Sequence, residues 1–173
     1  PGSGNPTGIA QIVADELGVK LDTIEVIQGD TTTCPYGFGN ASGRSTIVGG
    51  GSAAKAAKQV REKIIKVAAA LMEVDEKTVN LIQGNITSGD KSISLEEVCY
   101  AVYTRAYDVA SVVEPPLEST ATFKPGLIRH TPDEHGRINP YPSYSNAGFI
   151  AITEVDIETG QTKLLKISVA HDC

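Results

Sequence analysis

Residues 53–71, AAKAAKQVREKIIKVAAAL, carry the clearest periodicity in the chain. Their apolar side chains recur at alternating spacings of four and three, which places them along one stripe of an α-helix. The positions of this stripe are Ala53, Ala57, Val60, Ile64, Val67 and Leu71. Because alanine is small, the stripe lets a neighbouring element approach closely. The sequence therefore predicts a long helix that packs along one side.

A shorter helix is predicted near the start of the chain, over residues 7–17. Its apolar residues fall on one helical face, Asn5 can act as its cap, and Pro6 stands in the first turn. Gly18 follows the last apolar position, where glycine commonly ends a helix.

Between the two helices the sequence predicts a strand and then a long loop. Residues 21–27 are rich in β-branched side chains and lead into Gly29-Asp30, which indicates a strand. Residues 29–51 are glycine-rich and contain Cys34-Pro35, which predicts loop over most of their length. A loop this long inside a compact domain is usually functional.

After the long helix, turn and capping signals mark further elements. Residues 78–83 and 86–87 flank Gly84-Asn85, a hairpin signal. Ser94 and Glu97 form a capping box that starts a third helix, which is expected to run through Ala106. Residues 112–123 alternate in polarity after Pro115-Pro116, which indicates a strand.

The last segment predicts an antiparallel hairpin and completes the fold class. Residues 149–155 and 163–169 alternate cleanly around a Glu-Thr-Gly-Gln turn. Helices and antiparallel strands are mixed without a repeated βαβ unit, so an α+β fold is expected. We expect one partial domain over residues 1–173, with two lobes at 1–110 and 111–173.

Composition argues against nucleic acid and membranes as partners. The net charge of -6 does not favour binding along a phosphate backbone, and the apolar runs are too short to span a bilayer. The three cysteines form no CxxC pair, which fits a reducing compartment, so we expect a cytoplasmic protein.

Two glycine-rich turns stand directly before helices and are candidate anion sites. The first is Gly2-Ser3-Gly4-Asn5, and the second spans residues 37–51. Exposed N–H groups at a helix N-terminus suit phosphate, and glycine lets the backbone come close to a ligand. In the second turn, hydroxyl groups and a guanidinium add donors for a charged phosphoester. Glycine turns that merely connect elements remain an alternative.

One histidine-containing segment invites a metal-site interpretation. His130, Asp133, Glu134 and His135 follow each other closely, but their spacing makes no helical pair and no cysteine joins them. Such residues also collect in exposed polar loops, so no metal ligands are assigned. Neither a nucleophile setting nor a Gly-Lys-Ser/Thr phosphate loop is present in the sequence.

Several motifs, in their order and spacing, resemble the large subunit of molybdenum hydroxylases, the relatives of xanthine dehydrogenase, aldehyde oxidase and aerobic carbon monoxide dehydrogenase. The likeness covers essentially the whole chain and suggests an internal or C-terminal-region fragment. The motifs are residues 10–19 (AQIVADELGV), Gly29-Asp30-Thr31, Pro35-Tyr36-Gly37, Gly43-Arg44-Ser45-Thr46, Val60-Arg61-Glu62-Lys63, Glu154-Val155-Asp156, Thr159-Gly160 and His171-Asp172-Cys173.

This resemblance implies a molybdopterin with molybdenum, often as its cytosine dinucleotide, lying against the two glycine turns. The implied contact residues are Gly2, Ser3, Gly4, Asn5, Ser42, Gly43, Arg44, Ser45 and Thr46. Three of them depart from the family pattern. Ser3 stands where a glutamine is frequent, Asn5 where a histidine is common, and Gly43 where a small hydroxyl residue is usual.

The implied reaction is hydroxylation of an aldehyde or related small substrate with oxygen from water. Electrons would pass to iron-sulfur clusters and FAD on partner subunits, and the rest of the large subunit would be a further partner. Relatives use a glutamate base in a Gly-x-Gly-Glu turn, and that turn does not occur in these residues. We therefore assign no catalytic residue here and expect the isolated piece to be inactive.

Residues 139–144, NPYPSY, resemble archaeal aldehyde-oxidising relatives and favour an aldehyde as substrate. Two other functions stay open at this point. One is a non-catalytic binding or assembly module, and the other is an unrelated phosphate or nucleotide binder.

Overall fold

The computed structural model describes residues 2–34, 36–37, 39–40, 43–126 and 128–172. Over these residues the chain contains helices and antiparallel strands, which confirms the α+β class. It divides into two compact units, Pro1–Gly126 and Leu127–Cys173. No helix among the described residues has the length and apolar character needed to cross a membrane.

Over its described residues, the first unit contains four α-helices and a three-stranded sheet. The helices are α1 (Asn5–Leu17), α2 (Gly51–Met72), α3 (Leu95–Thr104) and α4 (Ala106–Val109), and a π-helical turn, Ser45–Gly50, leads directly into α2. The strands are β1 (Asn80–Ile82), β2 (Asn85–Ser88) and β3 (Lys91–Ser94), paired antiparallel in that order. Two short 3₁₀ turns cover Leu21–Thr23 and Glu76–Thr78.

The core of this unit lies where α2 packs against the sheet and α3. The predicted stripe is confirmed, because Ala57, Ile64 and Val67 are buried and its other members are half-buried. Fully buried side chains from the other elements complete the core, and they are Leu81, Ile86, Val98, Val102 and Val109. Burial of this apolar surface is the main favourable term that holds the elements together.

Helix α1 begins earlier than predicted and is capped differently. Asn5 is its first residue, and Gly4 takes the cap position in the left-handed region with φ 68°. The assignment of Asn5 as cap was therefore wrong, because the left-handed turn that enters the helix is one that glycine adopts without strain. Gly18, with φ 69°, ends the helix as predicted.

The strand predicted over residues 21–27 is not observed. Leu21–Thr23 form a 3₁₀ turn in which the Thr23 backbone N–H and side-chain hydroxyl both donate to the Lys20 carbonyl. Residues 24–28 then run without a ladder among the described residues. The threonine that suggested a strand instead makes a local hydrogen bond, which competes with sheet pairing.

The predicted loop ends sooner than expected, since the chain is already helical from Ser45. The glycines at the start of α2 serve close packing rather than flexibility. A Cβ atom on Gly50 would lie 2.7 Å from Ile12 Cδ1, and one on Gly51 would lie 2.5 Å from Phe123 Cδ1. Both approaches are shorter than carbon atoms tolerate, so only glycine fits at these two positions without a shift of its neighbour.

Gly51→Ala and Gly49→Ala form a matched pair of substitutions in the same helical run. A Cβ atom on Gly49 meets nothing within 4 Å, so we expect that alanine to stabilise the helix by up to about 1 kcal/mol. At Gly51 the Phe123 ring must move, and we expect a net loss of about 1–2 kcal/mol. Urea unfolding of both variants measures the difference, and equal free energies of unfolding would contradict the close contact.

The β1–β2 hairpin is confirmed with a shifted turn. Ile82 pairs with Asn85, so the two turn residues are Gln83 and Gly84, which have φ 50° and φ 80°. Two consecutive positive φ values characterise the type I′ turns that suit the twist of a hairpin. Strand β3 was not anticipated by the sequence analysis; its register on β2 runs from Lys91 to Ser94.

The capping box at the start of α3 is confirmed in full. Ser94 Oγ accepts from the Glu97 backbone N–H at 3.1 Å, and the Glu97 carboxylate accepts from the Ser94 N–H at 2.9 Å. These bonds from Ser94, backbone first and hydroxyl second, hold the pKa of Glu97 below its ordinary value. Helix α3 ends at Thr104, and the expected continuation to Ala106 is replaced by the separate short helix α4.

The strand predicted over residues 112–123 is also absent. Residues 116–123 instead run along α2, and side chains of α2 form the hydrogen bonds with their backbone that a neighbouring strand would otherwise form. Lys63 Nζ donates to the Pro116 and Glu118 carbonyls at 3.0 and 3.1 Å. Ser52 Oγ accepts from the Phe123 N–H at 3.0 Å. Backbone groups satisfied in this way need no ladder.

The C-terminal end of α1 is joined to the sheet through Gly18. The Gly84 N–H donates to the Gly18 carbonyl at 2.7 Å. Arg61 of α2 donates to the Glu16 carbonyl at 3.2 Å and to the Leu81 carbonyl at 3.1 Å. One guanidinium thus links a helix end, the long helix and a strand, which fixes the position of α1 on the core.

The second unit is built on a long hairpin, as predicted. Its strands are β4 (Ala147–Val155) and β5 (Thr162–His171), with Phe149 opposite Val169 and a bulge between Ile152 and Thr153. The turn is closed by Asp156, whose carboxylate accepts from the Glu158 and Thr159 N–H groups. Large apolar side chains on both strands are exposed, among them Phe149 at 68% and Val169 at 55%.

Candidate functional site

The two glycine turns, which are far apart in sequence, lie side by side and form a cleft of about 440 Å³. One wall is the first half of α1, and the other is the start of the π-helical turn. The lining residues are Ser3, Gly4, Asn5, Thr7, Gly8, Ile9, Gln11, Ile12, Ser45 and Thr46. The cleft therefore combines an apolar floor with hydroxyl, amide and backbone donors, which is the usual make-up of a small-molecule site.

Five of the nine residues assigned from the sequence meet in this cleft: Ser3, Gly4, Asn5, Ser45 and Thr46. Gly2, Gly43 and Arg44 belong to the same two turns and are described by the structure, but they are not part of the lining. Ser42 lies outside the described residues.

The N-terminal end of α1 faces the cleft without a side-chain cap in the described part of the chain. Its first internal hydrogen bond is the one from the Gly8 N–H to the Gly4 carbonyl, at 3.1 Å. The N–H groups of Asn5 and Thr7 precede it, and Pro6 has none. Uncapped N–H groups at this end, together with the helix dipole, favour an anionic ligand.

The second wall is brought close by glycine. Because Gly50 has no side chain, the π-helical turn packs directly on Ile12, which lines the floor of the cleft. Ser45 and Thr46 are the first two residues of this turn and present their hydroxyl groups at its start. The N-terminal ends of two helical segments, each a positive dipole end, therefore border the same cleft.

Asn40 joins the two walls, and the sequence analysis did not single it out. Its side-chain amide donates to Ser3 Oγ at 2.9 Å, and its carbonyl oxygen accepts from Ser45 Oγ at 2.5 Å. We call this arrangement the Ser3–Asn40–Ser45 bridge. The only sequence signal was an asparagine inside a glycine-rich stretch, and that signal is shared by ordinary turns.

The histidine-containing segment does not form a metal cluster. Among the residues that the structure describes, no group of three or more histidine, cysteine or acidic side chains is placed to hold a metal ion. Asp133 instead organises a turn. It accepts from the backbone N–H groups of Arg137 and His135 and pairs with the Arg129 and Arg137 guanidinium groups.

The environment of Asp133 has an electrostatic consequence. The hydrogen bond from the Arg137 N–H, followed by those from His135 and Arg129, keeps the pKa of Asp133 below its ordinary value although partial burial opposes this. The Asp133 carboxylate forms its hydrogen bonds and ion pairs with groups of this turn. The role of Asp133 is accordingly structural.

Comparisons with known proteins identify relatives over the whole chain. A family model described as a molybdopterin cofactor-binding domain matches residues 1–173. The large subunit of nicotine 6-hydroxylase from Paenarthrobacter nicotinovorans is 31% identical, and the large chain of carbon monoxide dehydrogenase from Hydrogenophaga pseudoflava is 30% identical. Each match covers 99% of this chain and 20% of the relative.

The fold is also similar to that of solved structures. Quinoline 2-oxidoreductase from Pseudomonas putida 86 aligns with a TM-score of 0.73 and 31% identity, again over 99% of this chain and 20% of that one. The chain thus spans about a fifth of the length of the relatives that it matches.

Proposed function

Because this chain belongs to the molybdopterin cofactor-binding domain family, we propose that its cleft holds the phosphate-bearing part of a molybdopterin. The observation that carries this proposal is the meeting in one cleft of two helix N-termini that no side chain caps among the residues that the structure describes. Phosphate and pyrophosphate are the anions that such ends bind best.

The chemistry of the donor set fits this group. Ser3 and Thr46 offer hydroxyl donors, whereas Ser45 gives its hydroxyl proton to Asn40, and Asn5 offers an amide and a backbone N–H. The glycine at position 4 lets a ligand approach the backbone closely. Gly2, Ser42, Gly43 and Arg44 complete the proposed contact set from the two turns. A cytosine dinucleotide form of the cofactor would add a second phosphate, for which the two helix ends provide two positions.

The bound molybdenum centre would supply two-electron oxidation, and this chain would bind and orient it. The intact large subunit would then be an oxidoreductase that hydroxylates a small substrate with oxygen from water, with an aldehyde as the preferred class. Iron-sulfur and FAD-containing subunits would take the electrons, and the complex would be cytoplasmic. Because these residues contain no Gly-x-Gly-Glu motif, the proposal places the base in another part of the large subunit.

Thr46→Asp tests the anion site in the full-length large subunit. The new carboxylate would repel phosphate, so we expect the molybdenum and pterin content per subunit to fall at least about tenfold. Aspartate is favourable in the first turn of a helix, so the substitution should not harm folding. Metal analysis and pterin fluorescence after oxidation measure the content.

Two controls separate charge from side-chain loss. Thr46→Val keeps the shape and should lower the cofactor content only a few-fold, since one neutral hydrogen bond is lost. Thr87→Asp adds the same charge at an exposed side chain of strand β2, outside the cleft, and should leave the content unchanged. If Thr46→Asp retains full cofactor, the cleft is not the phosphate site, and a non-catalytic binding module becomes the better interpretation.

A further inference from the structure

The Ser3–Asn40–Ser45 bridge joins the hydroxyl groups of two residues that line the cleft. Ser3 belongs to the turn before α1 and Ser45 begins the π-helical turn, whereas Asn40 is not part of the cleft lining. Asn40 contacts both serines by hydrogen bonds without itself lining the cleft. The uncharged Asn40 side chain can therefore influence a ligand in the cleft through these two hydroxyl groups.

An asparagine amide has a nitrogen that donates and an oxygen that accepts. This difference determines which serine of the bridge donates its hydroxyl proton to Asn40. The NH₂ group can only donate, so Ser3 Oγ accepts there and its own proton cannot point toward Asn40. The amide oxygen can only accept, so Ser45 uses its single hydroxyl proton on Asn40. Ser3 thus keeps a proton for another acceptor, whereas Ser45 keeps lone pairs.

We propose that Asn40 is a positioning residue that sets the hydrogen-bond polarity of the cleft. Ser3 then acts as a donor to an oxygen of a phosphate or pyrophosphate, and Ser45 acts as an acceptor for an N–H or O–H group of the same ligand. This inference rests on the proposed phosphate site and adds to it a division of roles between two serines that look equivalent in sequence.

Asn40→Asp tests the polarity with almost no change of shape. A carboxylate has two acceptor oxygens and no donor, so both serines must donate to it. The bridge stays closed, but Ser3 loses the proton that it would give to the ligand. A purely structural bridge would tolerate this replacement, whereas a polarity-setting bridge would not.

The added negative charge must be separated from the lost proton, and a double-mutant cycle does this. The cycle combines Asn40→Asp with Ser3→Ala in the full-length large subunit, freed of cofactor. The probe is inorganic pyrophosphate, and its dissociation constant is measured by titration calorimetry. Thermal unfolding of every variant, those with Ser45→Ala included, tests whether the proteins are folded to the same extent.

We expect Asn40→Asp to weaken pyrophosphate binding about tenfold when Ser3 is present, since a hydrogen bond to a charged oxygen is lost. In the Ser3→Ala background, Asn40→Asp should raise the dissociation constant for pyrophosphate by about twofold or less. Ser45→Ala should leave the effect of Asn40→Asp near its full size. Molybdenum content of the cofactor-loaded subunit should follow the same order.

Equal factors in both backgrounds would mean that Asn40→Asp acts by charge alone, and this would overturn the proposal. Coupling to Ser45 in place of Ser3 would also overturn it, because the polarity would be the reverse. If Thr46→Asp also has no effect and pyrophosphate does not bind the unmodified subunit, the phosphate site itself fails, and the polarity proposal fails with it. If Thr46→Asp abolishes binding while the cycle is additive, only the role of Asn40 is lost.

Discussion

Gly18→Ala is expected to lower the free energy of unfolding by about 3 kcal/mol or more, one of the largest effects available to a single methyl group in this chain. Gly18 has φ +69°, a conformation that costs an L-residue roughly 1–2 kcal/mol. The added Cβ would lie 2.5 Å from the Leu81 carbonyl oxygen and 2.7 Å from Arg61 Nη1. Because this carbonyl belongs to the backbone of β1 and cannot rotate away, the C-terminal end of α1 must move away from the sheet.

Gly29→Ala is the matched control for this substitution. Gly29 has φ +74°, nearly the same conformation, but a Cβ there meets nothing within 4 Å. Gly29→Ala should lower the free energy of unfolding only by the cost of the left-handed backbone conformation, roughly 1–2 kcal/mol. Urea unfolding followed by circular dichroism measures both variants. If the two losses were the same, the close approach of α1 to the sheet would not hold.

Leu81→Ala is expected to lower the free energy of unfolding by about 3 kcal/mol. The Leu81 side chain is 1% exposed in the core between α2 and the sheet, so its truncation removes apolar burial and leaves a cavity. Its neighbour Ile82 is 67% exposed on the other face of the same strand. Ile82→Ala should therefore change the stability by about 0.5 kcal/mol or less.

The same unfolding measurement compares the two variants of β1. Because the residues are adjacent and aliphatic, their difference reports the side of the strand that is buried. A comparable loss at Ile82 would show that this face is covered as well, and it would contradict the observed pattern of burial.

Features determined by neighbouring residues were predicted from the sequence correctly. The capping box at Ser94 and Glu97 spans one helical turn, and the helical stripe of α2 depends only on spacing. The final hairpin likewise follows from alternation around a turn closed by Asp156. Each of these elements is specified by contacts within a few residues, which is the range that sequence patterns report.

The two failed strands show where such patterns stop being informative. Residues 112–123 alternate in polarity as a strand would. The same alternation is expected of any extended segment that packs one side against the protein and exposes the other to solvent. What decides the outcome is that Lys63 and Ser52 supply the hydrogen-bond partners from α2, more than fifty residues away in sequence. A side chain that replaces a neighbouring strand leaves no local signature.

The candidate site was predicted in part for a similar reason. Glycine before a helix is a local signal, and it indicated both turns that line the cleft. The contacts of Asn40 depend on folding, because Ser3 is 37 residues away from it in the sequence. The roles of Gly50 and Gly51 also could not be read from a glycine-rich loop, since only the positions of Ile12 and Phe123 show that a side chain would not fit.

The π-helical turn Ser45–Gly50 allows the insertion or deletion of one residue to change which side chains line the cleft. A π-helical turn accommodates one more residue per turn than an α-helix would, and such turns often arise from insertions at functional sites. Deleting one residue would convert it to α-helix and rotate Ser45 and Thr46 by roughly 100° relative to α2. The stripe that α2 buries in the core would keep its register. A change in the length of this turn would therefore alter ligand contacts while α2 stays in the core, and it would also shift Gly50 against Ile12 of α1.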